Sequence, residues 1–251
     1  MEGLFDERGR LRLEGAANVR DLGGHARVGR GHTRPRCFLR ADNMAYLTPA
    51  DQQILLDYGV RTVVDLRRSN EVAETPNALA ASTAVAFHHI NLIGDHDLEL
   101  GSVPIAAGPA EGIAHTYCGW LDHCQGQMRR VMEILAAPGA LPALFHCHAG
   151  KDRTGVTAAL LLSLAGVPDT TIAADYGLTA HYLIAGYLQL PLRDQSVSNW
   201  EDYQRLYCDP RAMQLVLDHL QRHYGGVEKY LQAIGLDEGG INRLRAAFTK
   251  E

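Results

Sequence analysis

Residues 145–155 read Phe145-His146-Cys147-His148-Ala149-Gly150-Lys151-Asp152-Arg153-Thr154-Gly155, and this stretch decides the architecture. Before it, Pro142-Ala143-Leu144-Phe145-His146-Cys147 is a short apolar run of the kind that forms a buried strand. After it, Arg153 to Ala165 is an apolar helical stretch stopped by Gly166. The six residues from Cys147 to Asp152 must therefore turn strand into helix, and Ala149-Gly150 are small enough to let the backbone curl.

Working outward, three further apolar runs bounded by turn signals read as strands: Cys37-Phe38-Leu39, Val60 to Leu66 and Ala86 to Leu92. Thr48-Pro49-Ala50-Asp51 opens a helix, with a capping hydroxyl, Pro at N1 and an acid in the first turn. Glu111 to Ala136 is periodic and closed by Pro138-Gly139, which predicts one helical segment. Pro168-Asp169 opens another helix, and Arg211 to His223 and Glu238 to Phe248 complete a largely helical C-terminal half. Strands alternating with helices predict an α/β chain with a central, mostly parallel sheet flanked by helices. No repeat or linker divides the chain, so residues 1–251 read as a single domain. Within it, residues 181–207 are a candidate lid or insertion; the stretch Tyr187–Tyr207 is the most loop-like, with Pro191 and the run Ser196-Val197-Ser198-Asn199.

Composition narrows the function classes. A formal net charge of −5 argues against nucleic acid as a partner. The longest nearly apolar run, Ala158 to Val167, is about half of what a bilayer-spanning helix needs, so no stable membrane insertion is expected. The opening MEGLFDERGR has no apolar core and predicts no secretory leader. Five cysteines at irregular spacing, with no C-x2-C pair, form neither a disulfide framework nor a thiolate zinc site. The histidines show no metal spacing, so no metal or other cofactor is expected, and the default setting is a reducing, cytoplasmic one. Basic residues comprise 21 Arg but only three Lys, namely Lys151, Lys229 and Lys250.

Cys147 and Arg153 are spaced C-x5-R, a pattern that this composition produces by chance about 0.4 times. Cys124 and Arg130 share the spacing but lie within a predicted helix, where they surround nothing. Context singles out the first match. Successive N–H groups of His148, Ala149, Gly150, Lys151 and Asp152 in a strand-to-helix turn point inward as an anion nest, reinforced by the helix N-terminus. A tetrahedral phosphoryl dianion fits that nest, and the planar fork of Arg153 holds two of its oxygens as a lysine could not. The same dipoles and Arg153 favour the thiolate of Cys147, and the hydroxyl of Thr154 can donate to the sulfur as it leaves. Together these residues point to phosphoryl transfer through a phosphocysteine. An inert cysteine in a tight turn would leave Lys151, Asp152 and Arg153 crowded without a purpose.

HCHAGKDRTG resembles the signature loop of the cysteine-dependent protein-tyrosine and dual-specificity phosphatases, and its Lys-Asp-Arg form resembles their microbial tyrosine/serine branch. Asn18-Val19-Arg20-Asp21-Leu22-Gly23-Gly24 is similar to that branch's N-terminal NxRDxGG motif. Arg40-Ala41-Asp42 and Asp65-Leu66-Arg67 fall where the branch carries R-S-D and D-L-R, with Ala41 departing, and Tyr224 to Leu231 is similar to its tail. The resemblance covers nearly the whole chain and implies the phosphatase-like α/β fold.

It also implies roles. Cys147 becomes the nucleophile and Arg153 the phosphate clamp. No Trp-Pro-Asp sequence occurs; the resemblance to the microbial branch implies that the loop's own Asp152 is the general acid, against a reading as a loop-stabilising carboxylate, with Asp95 and Asp97 as the reserve acids. His146 orients the loop backbone. Asp65 pins Arg153 or the loop, or is an ordinary strand-end residue, and Arg20 pairs with Asp21 to fasten the N-terminal segment. Lys151 and His148 extend positive potential beyond one phosphate, as in lipid phosphatases with an H-C-x-A-G-K loop. The leading function is thus a metal-independent phosphomonoester hydrolase for phosphotyrosine, with dual specificity or phosphoinositide activity. A phosphatase of a small metabolite is a second reading. An inactive phosphate-binding module is a third, opposed by the intact Cys147, Asp152, Arg153 and Thr154.

Overall fold

The computed structural model describes residues 3–98 and 108–249. Among them five strands pair: β1 (Arg20–Asp21), β2 (Phe38–Ala41), β3 (Thr62–Asp65), β4 (Ala86–His89) and β5 (Ala143–His146). Their spatial order is β1-β2-β5-β3-β4, with β1 antiparallel to β2 and the remaining pairs parallel. Runs that are apolar on both sides belong inside such a sheet, and β2, β3 and β5 are buried at every residue. The central strand is β5, so the turn after it emerges between the carboxyl ends of β2 and β3, where open α/β sheets place their ligands.

The register aligns Leu39, Leu144 and Val63 in one row and Arg40, Phe145 and Val64 in the next. Successive strand residues face opposite sides, so the rows serve different cores. The first packs with Leu11, Val19, Leu55 and Tyr58. Phe145 and Val64 join the larger core built by the later helices. Truncating a fully buried leucine of such a row costs about 2–5 kcal/mol, so these rows fix both register and stability.

Helix α1 (Pro49–Tyr58) begins where the sequence places it, because Thr48 and Asp51 complete a capping box: Thr48 Oγ1 accepts from the Asp51 amide at 3.1 Å, and Asp51 Oδ2 from the Thr48 amide at 3.0 Å. Helix α2 (Ser69–Glu74) is short. The periodic stretch read as one helix is two, α3 (Pro109–His123) and α4 (Gln125–Ala136), broken at Cys124, whose φ and ψ of −108° and 31° leave the helical region. Helix α5 (Asp152–Leu164) follows the turn and is buried from Arg153 to Leu162. Then come α6 (Asp169–Tyr187), α7 (Trp200–Tyr207), α8 (Pro210–Tyr224), α9 (Val227–Ala233) and α10 (Glu238–Thr249).

The loop-like reading of Tyr187–Tyr207 therefore holds only for its first part. Asn199 caps α7 by accepting from the Asp202 amide at 2.9 Å, with Glu201 and Asp202 in the first turn. Trp200 stacks on His181 at 3.8 Å, and Tyr207 meets Tyr187 hydroxyl to hydroxyl at 3.1 Å, which fastens the segment to α6. Leu190 and Leu192 stand exposed on the connection. Among the described residues no helix is long and apolar enough to cross a membrane.

Candidate active site

Residues 147–151 bend tightly around the end of β2. Gly150 has φ +65°, and a Cβ there would lie 2.6 Å from the Ala41 carbonyl oxygen, so both backbone shape and space require glycine. The loop's carbonyls are all engaged. His146 O accepts from the Leu66 amide (2.8 Å), His148 O from the Asn43 amide (2.9 Å) and Lys151 O from the Gly155 amide (2.8 Å). Asn18 Nδ2 donates to Ala149 O at 3.1 Å and Gly150 O at 3.3 Å, and Arg40 Nη2 donates to Gly150 O at 2.8 Å. Among the described residues the amides of His148 to Lys151 have no protein acceptor, the state an anion cradle requires. Cys147 lies at the base, 1% exposed.

His146 acts on this backbone. Its Nδ1 is 3.0 Å from Cys147 O, and because a carbonyl only accepts, Nδ1 carries the proton. Asn77 Oδ1 accepts from the Leu79 amide, which turns its Nδ2 to His146 Nε2 at 2.7 Å, with Asp65 Oδ2 3.4 Å from the same nitrogen. Asp65 pairs with Arg67 beside His146 and does not meet Arg153. Burial raises its carboxyl pKa, but the hydrogen bonds and charge of Arg67 outweigh this and hold it well below the usual range.

The partner of Arg153 is Glu71, which the sequence did not mark. Arg153 Nη1 and Nη2 meet Glu71 Oε2 and Oε1 at 2.5 and 2.9 Å, a bidentate pair that leaves Nε–H and one N–H on each Nη for a phosphate. Burial raises the pKa of Glu71, yet Arg153, the Arg68 amide and His148 bring it down to about 2. A depressed carboxylate stabilises the fold above its unfolded pKa and ceases to do so as pH falls through its folded one. The stability gap between wild type and Glu71→Gln, read by urea unfolding, should be full above about pH 4.5 and close toward about pH 2.

Asp152 opens α5, and the Tyr117 hydroxyl donates a short hydrogen bond to its Oδ1. Lys151 Nζ is 3.6 Å from the same oxygen and 5.8 Å from the centre of the Tyr207 ring, so the loop lysine lies between the acid and α7. His148 stands exposed on the rim, its Nδ1 3.8 Å from Glu71. Thr154 is fully buried and donates to Ala41 O at 3.4 Å, behind the loop rather than toward the sulfur. The reserve acids build α2 instead. Asp95 accepts from the Ser69 amide, the Ser69 hydroxyl and Asn91 Nδ2, which hold its pKa down, and Asp97 pairs with Arg68. Cys124, the alternative C-x5-R cysteine, is buried at the α3–α4 joint, and burial pushes its thiol pKa up.

Arg20 pairs with Asp175 of α6, not with Asp21, whose carboxylate instead accepts from the Gly23 and Arg36 amides and the Tyr58 hydroxyl. Arg40 binds the other Asp175 oxygen. Burial pushes the Arg20 guanidinium down to about 10, with Arg40 adding to the effect and Asp175 opposing it. One carboxylate between two guanidiniums leaves a net positive charge directly behind Gly150. It adds to the amide dipoles and the α5 N-terminus in favouring a dianion.

Among the described residues no three or more His, Cys, Asp or Glu side chains converge as a metal site. The comparisons with known proteins agree on one affiliation. A model described as the tyrosine phosphatase family matches residues 11–250. A tyrosine-protein phosphatase of Nostoc commune is 36% identical over 215 residues, covering 83% of this chain and 72% of its own. The triple specificity protein phosphatase PtpB of Mycobacterium tuberculosis is 30% identical over a 275-residue alignment, covering 94% of this chain and 98% of its own.

Proposed function

The chain belongs to the tyrosine phosphatase family, and from that premise we propose that it hydrolyses phosphomonoesters through a phosphocysteine on Cys147. Phosphotyrosine in proteins is the main substrate, with phosphoserine, phosphothreonine and phosphoinositides as further ones. The observation that carries this reading is the loop itself: carbonyls tied to neighbouring residues, a charged guanidinium held by Glu71, and one buried cysteine at its start.

In the first step the Cys147 thiolate attacks phosphorus. The S–P bond forms, the P–O bond to the leaving group breaks, and Asp152 gives its proton to the departing oxygen. In the second step water attacks phosphorus, its proton passes to the Asp152 carboxylate, and the S–P bond breaks to restore the thiolate and release phosphate. The loop amides and Arg153 bind the equatorial oxygens throughout. The same reading takes residues 1–251 as one phosphatase domain, with 181–207 moving as a lid over Lys151. All five cysteines are free, which supports a reducing, cytoplasmic setting for the reactive thiol.

The test is a comparison of kcat/KM, with EDTA present, for phosphopeptides, phosphoinositides and sugar or nucleotide monophosphates. Phosphotyrosine peptides should lead. Lys151→Ala should cost about tenfold more on multiply phosphorylated substrates than on singly phosphorylated ones, the worth of one charge-assisted hydrogen bond. Equal losses would remove Lys151 from substrate choice. A lead for one small metabolite would replace the protein-substrate reading with a metabolic one.

A further inference from the structure

We propose that Tyr117 is the positioning residue that holds Asp152 for proton transfer, and that Tyr176 holds Tyr117 in turn. The inference rests on the reading of Asp152 as the general acid.

Tyr117 lies on α3, 2% exposed and stacked on Trp120 at 5.0 Å, so its hydroxyl is a buried polar group that needs a partner. The partner is Asp152 Oδ1. Burial, with the charge of Asp152, raises the Tyr117 pKa well above that of a free phenol, so the hydroxyl keeps its proton. Its one proton goes to Asp152. The Tyr176 hydroxyl, 2.9 Å away, must therefore be the donor to Tyr117, which gives a directional chain from Tyr176 through Tyr117 to Asp152.

The end of the signature loop makes room for this chain. Gly155 is helical and needs no unusual backbone, but a Cβ there would lie 3.0 Å from Tyr176 Cδ2, tighter than ordinary contact with a ring that is 1% exposed. The final glycine of HCHAGKDRTG thus lets Tyr176 pack close against the start of α5.

The chain decides which oxygen reacts. Tyr117 and Lys151 both address Oδ1, and among the described residues Oδ2 has no partner. Oδ2 is then the atom that gives its proton to the leaving oxygen and later receives one from water. Asp152 is one-third exposed and at the first residue of its helix, where a carboxylate is otherwise free to rotate. A misplacement of about 1 Å in a reacting group can cost about a hundredfold in rate.

A tie that merely joined α3 to α5 would also place this hydrogen bond, so the experiment must read proton transfer. It measures kcat/KM for p-nitrophenyl phosphate, phenyl phosphate and an alkyl phosphate with wild type, Tyr117→Phe, Tyr176→Phe and Asp152→Asn. A poor leaving group depends on the acid more than a good one. Tyr117→Phe should lose less than about threefold on p-nitrophenyl phosphate but about 10- to 100-fold on phenyl phosphate, with Tyr176→Phe smaller in the same direction. In the Tyr117→Phe, Asp152→Asn double variant the leaving-group dependence should not exceed that of Asp152→Asn alone. Equal losses on all substrates, or none, beside a steepened Asp152→Asn series would overturn the role of Tyr117. A flat Asp152→Asn series would instead show that Asp152 is not the acid. If Tyr117→Phe fails to fold, Tyr176→Phe gives the same decision.

Discussion

Cys147→Ser should abolish turnover of p-nitrophenyl phosphate, lowering kcat by about four orders of magnitude or more, the scale seen when a nucleophile is removed. The substitution changes one buried atom. Cys147 is 1% exposed at the base of a loop whose carbonyls are tied to Leu66, Asn18, Asn43, Arg40 and His146, none through the sulfur. The fold and the cradle should survive, so the variant should still bind inorganic phosphate or vanadate. Loss of turnover with retained anion binding separates the nucleophile from its surroundings. Measuring kcat and the dissociation constant for vanadate on the same sample checks both halves.

Arg153→Lys should cost about 10²–10³ in kcat, the usual loss when one preorganised donor to a transition-state oxygen is removed. Charge is conserved, so the prediction concerns shape. The guanidinium spends two N–H groups on Glu71 and presents the rest as a fixed fork, whereas an ammonium at that position can satisfy either Glu71 or the phosphate oxygens. Glu71 would also be left half-buried without its bidentate partner, so thermal stability should fall along with rate. Kinetics together with a melting curve distinguish this from a loss by unfolding. A variant of wild-type rate would show that Arg153 acts only as a point charge.

How much of this was legible in the chain depended on whether the cause was local. β3 and β5 were readable because burial on both faces leaves continuous apolar runs, and α1 because Thr48, Pro49 and Asp51 carry its whole start signal. β1 was not, since Arg20-Asp21 is a strand only because Arg40 and Leu39 lie opposite it. The break at Cys124 has no proline to announce it, and the capping signal of Asn199 was masked by the proline and serines before it. In the site, Cys147, Gly150 and Arg153 stand in one stretch and were found together. Glu71, 82 residues from Arg153, and Tyr117, 35 from Asp152, meet the loop only through the order of strands and helices. Asp175 was likewise invisible, and the nearer Asp21 was an attractive but wrong partner for Arg20. Local pattern marked the loop residues as candidates, and tertiary packing supplied the side chains that hold them.

The most direct test of the central claim is rapid-quench mass spectrometry during turnover of a fast-leaving aryl phosphate, with peptide mapping of the quenched enzyme. One phosphoryl group is expected on the peptide containing Cys147, bound through sulfur, formed in wild type and absent from Cys147→Ser. Phosphate release with no covalent species, or a phosphoryl group on any other residue, would contradict it.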